Sequence, residues 1–386
     1  MATQTSTNRD AGTVAGTNPS INPSIRGTAT VVFCYDVGFG VDLTRAADIL
    51  ATSAALPNPL REQLPQRRRA PKHFTFDPAP VRVLEPCPDV ELAAFRTGGS
   101  VETTFYDFGG ASVAYTFPIH GTLADLLPLA NALNDNEQLL ADSTRRLKAL
   151  IEQLSPAITR PHLGLLVEDY VTYQFDRFGD GQPLSDLLAA NRPLMAQILR
   201  GESAPLSKQE IDEALGCRIS YSDTDAAILD FAAAFVIDSD AADLLDIIEF
   251  ANVELLEMRS LDEILDDALE EVYPSFPGRN GKTISRSEMR RIAQHQIDAA
   301  MLFEGVNNAI KLVGDHYLAR FYKLLAERLH HHDWDASVLR KLETLNQIYE
   351  KADDERSTRR MEILEWIIII LIAVSIVLPF VTPLAK

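Results

Sequence analysis

From Trp366 the chain reads WIIIILIAVSIVLPFVTPLAK, and the nineteen residues from Trp366 to Leu384 carry no charge. At about 1.5 Å rise per helical residue this run reaches roughly 28 Å, close to the hydrocarbon thickness of a bilayer. In lipid only a helix satisfies its own backbone, and the Ile-rich stretch suits one. Pro379 and Pro383 fall near the far end, and Trp366 stands at the near boundary, a usual place for an interfacial indole. The pattern predicts a transmembrane helix over 364–384, with Arg359, Arg360, Glu362, Glu365 and Trp366 at the interface and the two acids paired with the two arginines. Arg356, Arg359 and Arg360 precede the run and only Lys386 follows it, so the positive-inside bias places the N-terminal part on the cytoplasmic side. The alternative, a buried core helix, is usually shorter and keeps a polar face.

Composition bounds the rest. The 386 residues are enough for one large or two ordinary domains besides the apolar run, and 46% hydrophobic content permits a sizeable core. The net charge of −19 argues against direct nucleic-acid binding and against bulk adsorption to anionic lipid, since both need positive surface. Cys34, Cys87 and Cys217 are odd in number and form no CxxC pair, so no disulfide framework or zinc knuckle is expected. Residues 1–27 are rich in Thr, Ser, Asn, Gly and Ala, a composition that predicts disorder, and they lack the apolar core of a secretory signal. The expected location is a bacterial inner membrane with a cytoplasmic N-terminal domain; the alternative is the mitochondrial inner membrane.

An α+β region is expected over 28–238. TATVVFCYDVGFGVDL (28–43) is β-rich, a helix follows over 42–56, and VRVLEP (81–86) reads as a short strand. VETTFYDFGGASVAYTFPI (101–119) is two alternating runs around Gly109 and Gly110, a strong hairpin signal. Further strands are expected over 162–176 and over 226–238, where the alanines make a helix a competitor. In 122–154, Leu126, Ala130, Leu133, Leu140, Leu147, Ile151 and Leu154 recur at helical spacing. Shorter helices are expected over 183–200 and 207–216, the second opened by Ser207 with Glu210 three residues on, a capping box.

From about 240 onward the chain reads as helix, a stalk over 239–363. The stretch 240–271 holds twelve acids and one base, Arg259, and Arg279, Lys282, Arg286, Arg290 and Arg291 follow. The expectation is an antiparallel hairpin turned at 273–282; ordinary solvated faces explain the charges equally well. One more helix is expected over about 285–330. Another, beginning after HHHDW, repeats Val338, Leu342, Leu345, Tyr349 and Ala352 in alternating steps of four and three, the seam of a coiled coil.

Signals for chemistry are weak. GRNGKT (278–283) has the last part of a phosphate loop, but Phe276 stands where its first glycine belongs. Adjacent histidines at His330, His331 and His332 point about 100° apart on a helix and do not converge on a metal, so a solvated helix end is the better reading. His295 and His316 are unrelated by spacing, and no metal or cofactor is expected. Asn252, Glu254, Glu257 and Arg259 in the acidic helix, and Asp315 and Arg320 further on, need partners if buried, because an unpaired interior charge costs several kcal/mol. They line either a docking or hydrolytic pocket or a polar network that sets helix register; the network is preferred.

Five blocks carry a resemblance: TATVVFCYDVGFGVDL (28–43), EDYVTYQF (168–175), EFANVELLEMRSLDEILD (249–266), KLVGDHYLARFYKLLAERL (311–329) and KLETLNQIYEKADDERSTRRMEILEWIIIILI (341–372). In order and wording they resemble the Required-for-Meiotic-nuclear-Division family, the group of the yeast Sad-interacting factors and a metazoan mitochondrial translation factor. The resemblance implies a membrane protein anchored by its C-terminal helix, with no established catalytic activity. It marks Glu168, Asp169, Tyr170, Asn252, Glu254, Glu257, Arg259, Gly314, Asp315, Tyr317 and Arg320 as motif residues. The chain departs from the pattern at Ala373-Val374-Ser375-Ile376, where many members carry a Glu.

The resulting expectation is a tail-anchored, single-pass scaffold or tether without enzymatic activity. Its partners would be the bilayer and either another protein or further copies joined through the helical stalk. The alternative is a membrane-associated, metal-dependent phosphate-ester or nucleotide hydrolase.

Overall fold

A computed structural model describes residues 22–52, 74–76, 78–87, 89–272, 310–312 and 315–381, with isolated positions between 293 and 300. The strands, in chain order, are β1 (Ser24–Asp36), β2 (Gly40–Val41), β3 (Phe74–Phe76), β4 (Val81–Pro86), β5 (Glu91–Leu92), β6 (Phe95–Arg96), β7 (Ser100–Phe105), β8 (Gly110–Thr122), β9 (Ile158–Thr159), β10 (Glu168–Phe178), β11 (Arg218–Ile219), β12 (Ala226–Leu229), β13 (Ala233–Ile237) and β14 (Ile310–Leu312). The helices are α1 (Leu43–Thr52), α2 (Leu126–Leu133), α3 (Glu137–Leu154), α4 (Leu184–Ala190), α5 (Arg192–Arg200), α6 (Lys208–Ala214), α7 (Ala242–Val272), α8 (His316–Arg328) and α9 (His331–Val381).

Eight strands form one sheet in the order β11-β12-β13-β10-β1-β8-β7-β4, antiparallel except for the β10–β13 pair. β1 lies at the centre, and its alternation shows why. Ile25, Ala29, Val31, Phe33 and Tyr35 enter the core under α1–α6. Val32 and Cys34 point the other way, against Phe250, Val253, Leu256 and Met258 of α7. A strand with apolar residues on both faces belongs inside a three-layer fold. β12 and β13 repeat the pattern, with Ala226, Ile228, Phe235 and Ile237 on one side and Ala227, Leu229, Ala234 and Val236 on the other.

The expected hairpin over 101–119 is β7 and β8. Gly109, with φ of +107°, makes the turn, and a Cβ there would collide with the Gly38 carbonyl. Ser207 caps α6 by accepting from the Glu210 amide. Five expectations need adjustment. Within the helix expected over about 285–330, Ile310–Leu312 is the strand β14 and helix is continuous only from His316. The helix expected over 183–200 breaks at Asn191 into α4 and α5. The strand over 162–176 begins only at Glu168. The run over 226–238 is a tight hairpin of two strands, because Asp230 accepts bonds at its turn. The helical run over 122–154 breaks at Asp135, whose positive φ ends α2 before Asn136 caps α3.

On the second face α7 crosses the sheet, and α8 and α9 pack against it. The α9 helix runs parallel to α7: His331 meets Glu254, Trp334 meets Arg259, Ser337 meets Asp262, and Lys341 meets Asp262 and Asp266. Leu261, Leu265 and Ala268 of α7 bury Val338, Leu345 and Ile348 of α9. Each fully buried leucine there contributes about 1.5–3 kcal/mol. The four-three spacing of α9 is thus occupied by α7 in this stretch. The expected hairpin turn at 273–282, the basic residues at 279–291 and the GRNGKT segment lie outside the described residues, as does His295.

The expected membrane span is corrected. Among the described residues no helix is long and apolar enough to cross a membrane. The described part of α9 reaches Val381, and its uncharged stretch from Trp366 is 16 residues, about 24 Å long, against the roughly 20 residues a span needs. The tail-anchored topology and the inner-membrane location, bacterial or mitochondrial, lose their basis with it.

Candidate functional site

The polar residues of α7 make the most unusual feature of the molecule, because they face inward. At its start Asp246 accepts from Arg82 of β4 at 2.7 Å, and Arg82 also lies 3.6 Å from Glu102. One turn on, Glu249 accepts from the Ser112 hydroxyl of β8 at 2.5 Å. Burial pushes the Glu249 carboxyl up, against the opposing pull of Arg82. Asn252 is buried and donates back to the Ile248 carbonyl at 2.8 Å, a bond along its own helix.

Glu254 and Glu257 take different partners because they sit on different sides of α7. Glu254 faces α8 and α9, where the Tyr322 hydroxyl donates to it at 2.7 Å and the His331 Nδ1 lies 3.3 Å away. Glu257 faces the C-terminal end of β1 and the Gly110 backbone. Burial pushes its carboxyl well above the usual range, and the nearby Asp36 adds to that. Its Oε1 makes no hydrogen bond among the described residues.

Asp36 closes β1 and accepts from the Gly38 amide at 3.0 Å and from His162 Nε2 at 3.1 Å. The other ring nitrogen of His162 meets the Arg160 carbonyl at 3.1 Å. The hydrogen bond to Asp36 pushes the imidazole up to about 9. Both ring nitrogens are therefore donors, and the ring is an imidazolium clamp rather than a free base. Arg259 pairs with Glu168 at the start of β10 and lies over the Trp334 ring, 5.8 Å from its centroid.

Of the residues singled out from sequence, the structure brings Glu168, Glu254, Glu257 and Arg259 to the α7 face, with Asn252 in the same helix. Asp169 is pushed up by burial and then by Asp135. Tyr170 is buried and donates to the Asp230 carbonyl at 3.0 Å. Asp315, Tyr317 and Arg320 lie elsewhere: Asp315 caps α8, Tyr317 stacks edge-on against Tyr221, and Arg320 is exposed. Gly314 lies outside the described residues. Glu362, Glu365 and Trp366 are exposed on α9, and Arg359 and Arg360 lie in the same helix. The histidine run is corrected: His331 is buried inside α9, because the positive φ of His330 breaks the chain and the helix starts at His331, four residues earlier than a start after HHHDW.

Sequence reasoning missed Asp36, His162, Glu249, Tyr322 and Asp335. Each needs a partner from a distant segment to be noticed, and none stands in a motif of its own. Chemically the cluster binds itself. Cys34, fully buried, has its thiol pushed up by burial and then by Glu249, which rules out an activated thiolate. Among the described residues no group of three or more His, Cys, Asp or Glu side chains could hold a metal ion.

A family model described as the N-terminal domain of uncharacterized protein MJ0711 matches residues 26–243, more than half of the chain. The chain belongs to the MJ0711 N-terminal domain family. The uncharacterized protein MJ0711 of Methanocaldococcus jannaschii is 25% identical to it over 218 residues, which cover 55% of this chain and 66% of that relative. The chain thus aligns with just under two thirds of the relative's length. No solved structure matches.

The MJ0711 domain runs from β1 to the first turn of α7, and so contains the whole eight-stranded sheet with Asp36, His162 and Glu168. The resemblance to the Required-for-Meiotic-nuclear-Division family is corrected by this match, since the comparisons give no link to that group. Three of the five blocks that carried it, 249–266, 311–329 and 341–372, lie beyond the matched segment. They fall mostly in the helices α7, α8 and α9, where acidic and Leu/Ile-rich wording recurs for reasons of helical periodicity.

Proposed function

We propose that the chain is a non-enzymatic scaffold that assembles with copies of itself through the distal part of α9. The observation that carries this reading is the exposure of that segment. Trp366, Ile367, Ile368, Ile369, Ile370 and Leu371 are consecutive, and each is 47–66% exposed. Successive residues step about 100° around a helix, so these side chains are apolar on every side. A helix apolar all round requires burial on several faces at once. A single flat groove cannot supply that, whereas several identical helices related by symmetry can. The polar network of α7 supports the same reading, because its acids are spent on tying α7 to the sheet, α8 and α9.

Sedimentation velocity of the full chain tests the proposal. A defined oligomer is expected, reverting to monomer in an Ile368→Asp, Ile370→Asp double variant. A monomer at all concentrations, an oligomer indifferent to those changes, or association with phospholipid vesicles in place of self-association overturns it.

A further inference from the structure

A joint of two residues parts α8 from α9. The first helix ends at Arg328 and the second begins at His331. Leu329 stays close to right-handed helical angles, with φ of −83° and ψ of 2°, so the change of direction falls on His330, whose φ is +59°. A left-handed residue at a helix end is usually glycine, and a residue with a side chain is strained there. The amide of His330 donates to the Glu327 carbonyl at 3.3 Å, and its ring lies 3.1 Å from Asp333. The sequence does not ask for the break, since it holds no glycine or proline from His316 to Leu378. With residue 330 right-handed, the amides of His331 and His332 would gain the Glu327 and Arg328 carbonyls, and α8 and α9 would run on as one helix.

What holds α9 in the bent arrangement is α7. Val338, Leu345 and Ile348 pack on Leu261, Leu265 and Ala268. Ser337 donates to Asp262 at 2.8 Å, and Lys341 lies 2.8 Å from the same carboxylate. These contacts are all made with α7, so α7 of a second copy offers the same set. We infer that His330 is a domain-exchange hinge: α9 swings out, α8 and α9 merge into one helix, and α9 packs on α7 of a second copy while that copy's α9 returns the exchange. The exchanged pair keeps the buried apolar seam and its ion pair, and it releases one strained residue in each chain; short strained joints favour such exchange. Exchange is bimolecular, so the closed monomer prevails at high dilution and concentration draws out the pair. This goes beyond the scaffold reading, because it joins copies at the root of α9 and not at its distal end.

Cysteine trapping in the full chain reads the exchange. One chain carries Asp262→Cys, and a second, differently tagged chain carries Ser337→Cys. Both carry Ile368→Asp and Ile370→Asp to silence the distal contact, and Cys87→Ser and Cys217→Ser, since those two thiols are only partly buried. After mixing at rising concentration and oxidation, non-reducing electrophoresis should show a disulfide between the two chains, with a yield that climbs with concentration. His330→Gly fits the closed joint and weakens a continuous helix, so it should cut that yield at least about tenfold. His330→Ala, a strong helix former less at ease in the left-handed region, should raise it. A single chain with both cysteines checks the α7–α9 pairing by closing its own bond. No bond between chains, a yield that is the same for all three residues at 330, or a double-cysteine chain that stays open overturns the hinge. Sedimentation of the unsubstituted chain at low concentration tests the distal contact separately, so either reading can fail without the other.

Discussion

The Arg200 Nε lies 2.7 Å from Oδ2 of Asp230, a carboxylate only 1% exposed at the turn between β12 and β13. Arg200 ends α5 on one face of the sheet. From the opposite face Arg328, at the end of α8, reaches the other oxygen of the same carboxylate and also pairs with Glu213 at 2.6 Å. One side chain thus joins both helical layers at the sheet edge. Removing one partner of a buried ion pair leaves the other charges uncompensated, a cost of about 3–5 kcal/mol. Asp230→Ala should lower the unfolding free energy from urea titration by that order, and with it the midpoint, and Asp230→Asn should recover part of it. An Asp230→Ala protein of unchanged midpoint would mean that the clamp contributes nothing.

His162 makes the fold sensitive to alkali. Its imidazole is held up at about 9 by the hydrogen bond to Asp36, against an ordinary value of 6.5. A group raised in the folded state stabilises fully below its unfolded value and loses that contribution as pH rises through the folded one. Stability should therefore fall between about pH 6.5 and about pH 9 in the wild type, by no more than about 1 kcal/mol because the ring is partly solvated. His162→Ala should flatten that slope. Equal slopes in the two proteins, measured by urea titration across the range, would contradict the assignment.

Much of this molecule was legible before any coordinates. The β7–β8 hairpin followed from Gly109 and Gly110, and the Ser207 cap from its spacing to Glu210. Glu254, Glu257 and Arg259 stood out as charged residues that need partners if their acidic helix is buried, and the structure finds all three at the α7 face. What periodicity could not supply was their partners. His331 looked solvated because the helix start depends on the backbone of His330, and Asp36 and His162 meet across 126 residues of chain. The pairing of α7 with α9 was equally hidden. Heptad spacing marks an apolar seam but does not say whether the same chain or another fills it, and here Leu261 and Leu265 fill it.

Glu257 should behave as a neutral acid. Burial raises its carboxyl well above the usual range, with Asp36 adding to the effect. The unfolded chain ionises first as pH rises, so this residue favours folding only at low pH and opposes it progressively above about pH 4. Replacing it by its neutral isostere removes the penalty without changing shape. Glu257→Gln should therefore match wild type near pH 4 and exceed it by about 1–3 kcal/mol at pH 8. A loss of stability at pH 8 would show that the ionised carboxylate is required.

The parallel register of α7 and α9 is open to a charge-exchange test. Lys341 Nζ lies 2.8 Å from Asp262 and 2.7 Å from Asp266, and Ser337 donates to Asp262 at 2.8 Å. Lys341 and Asp262 are mostly buried, so a reversed charge cannot simply swing into water. Lys341→Glu alone would set three acids together and should cost about 1–3 kcal/mol. Adding Asp262→Lys restores one opposite pair at the same place and should recover at least half of that loss, while Asp262→Lys alone sets two cations side by side and destabilises. The coupling in such a cycle belongs to residues in contact. If the double variant is no better than the sum of the singles, the two helices do not pair in this register, and the route by which α9 leaves the body must be redrawn.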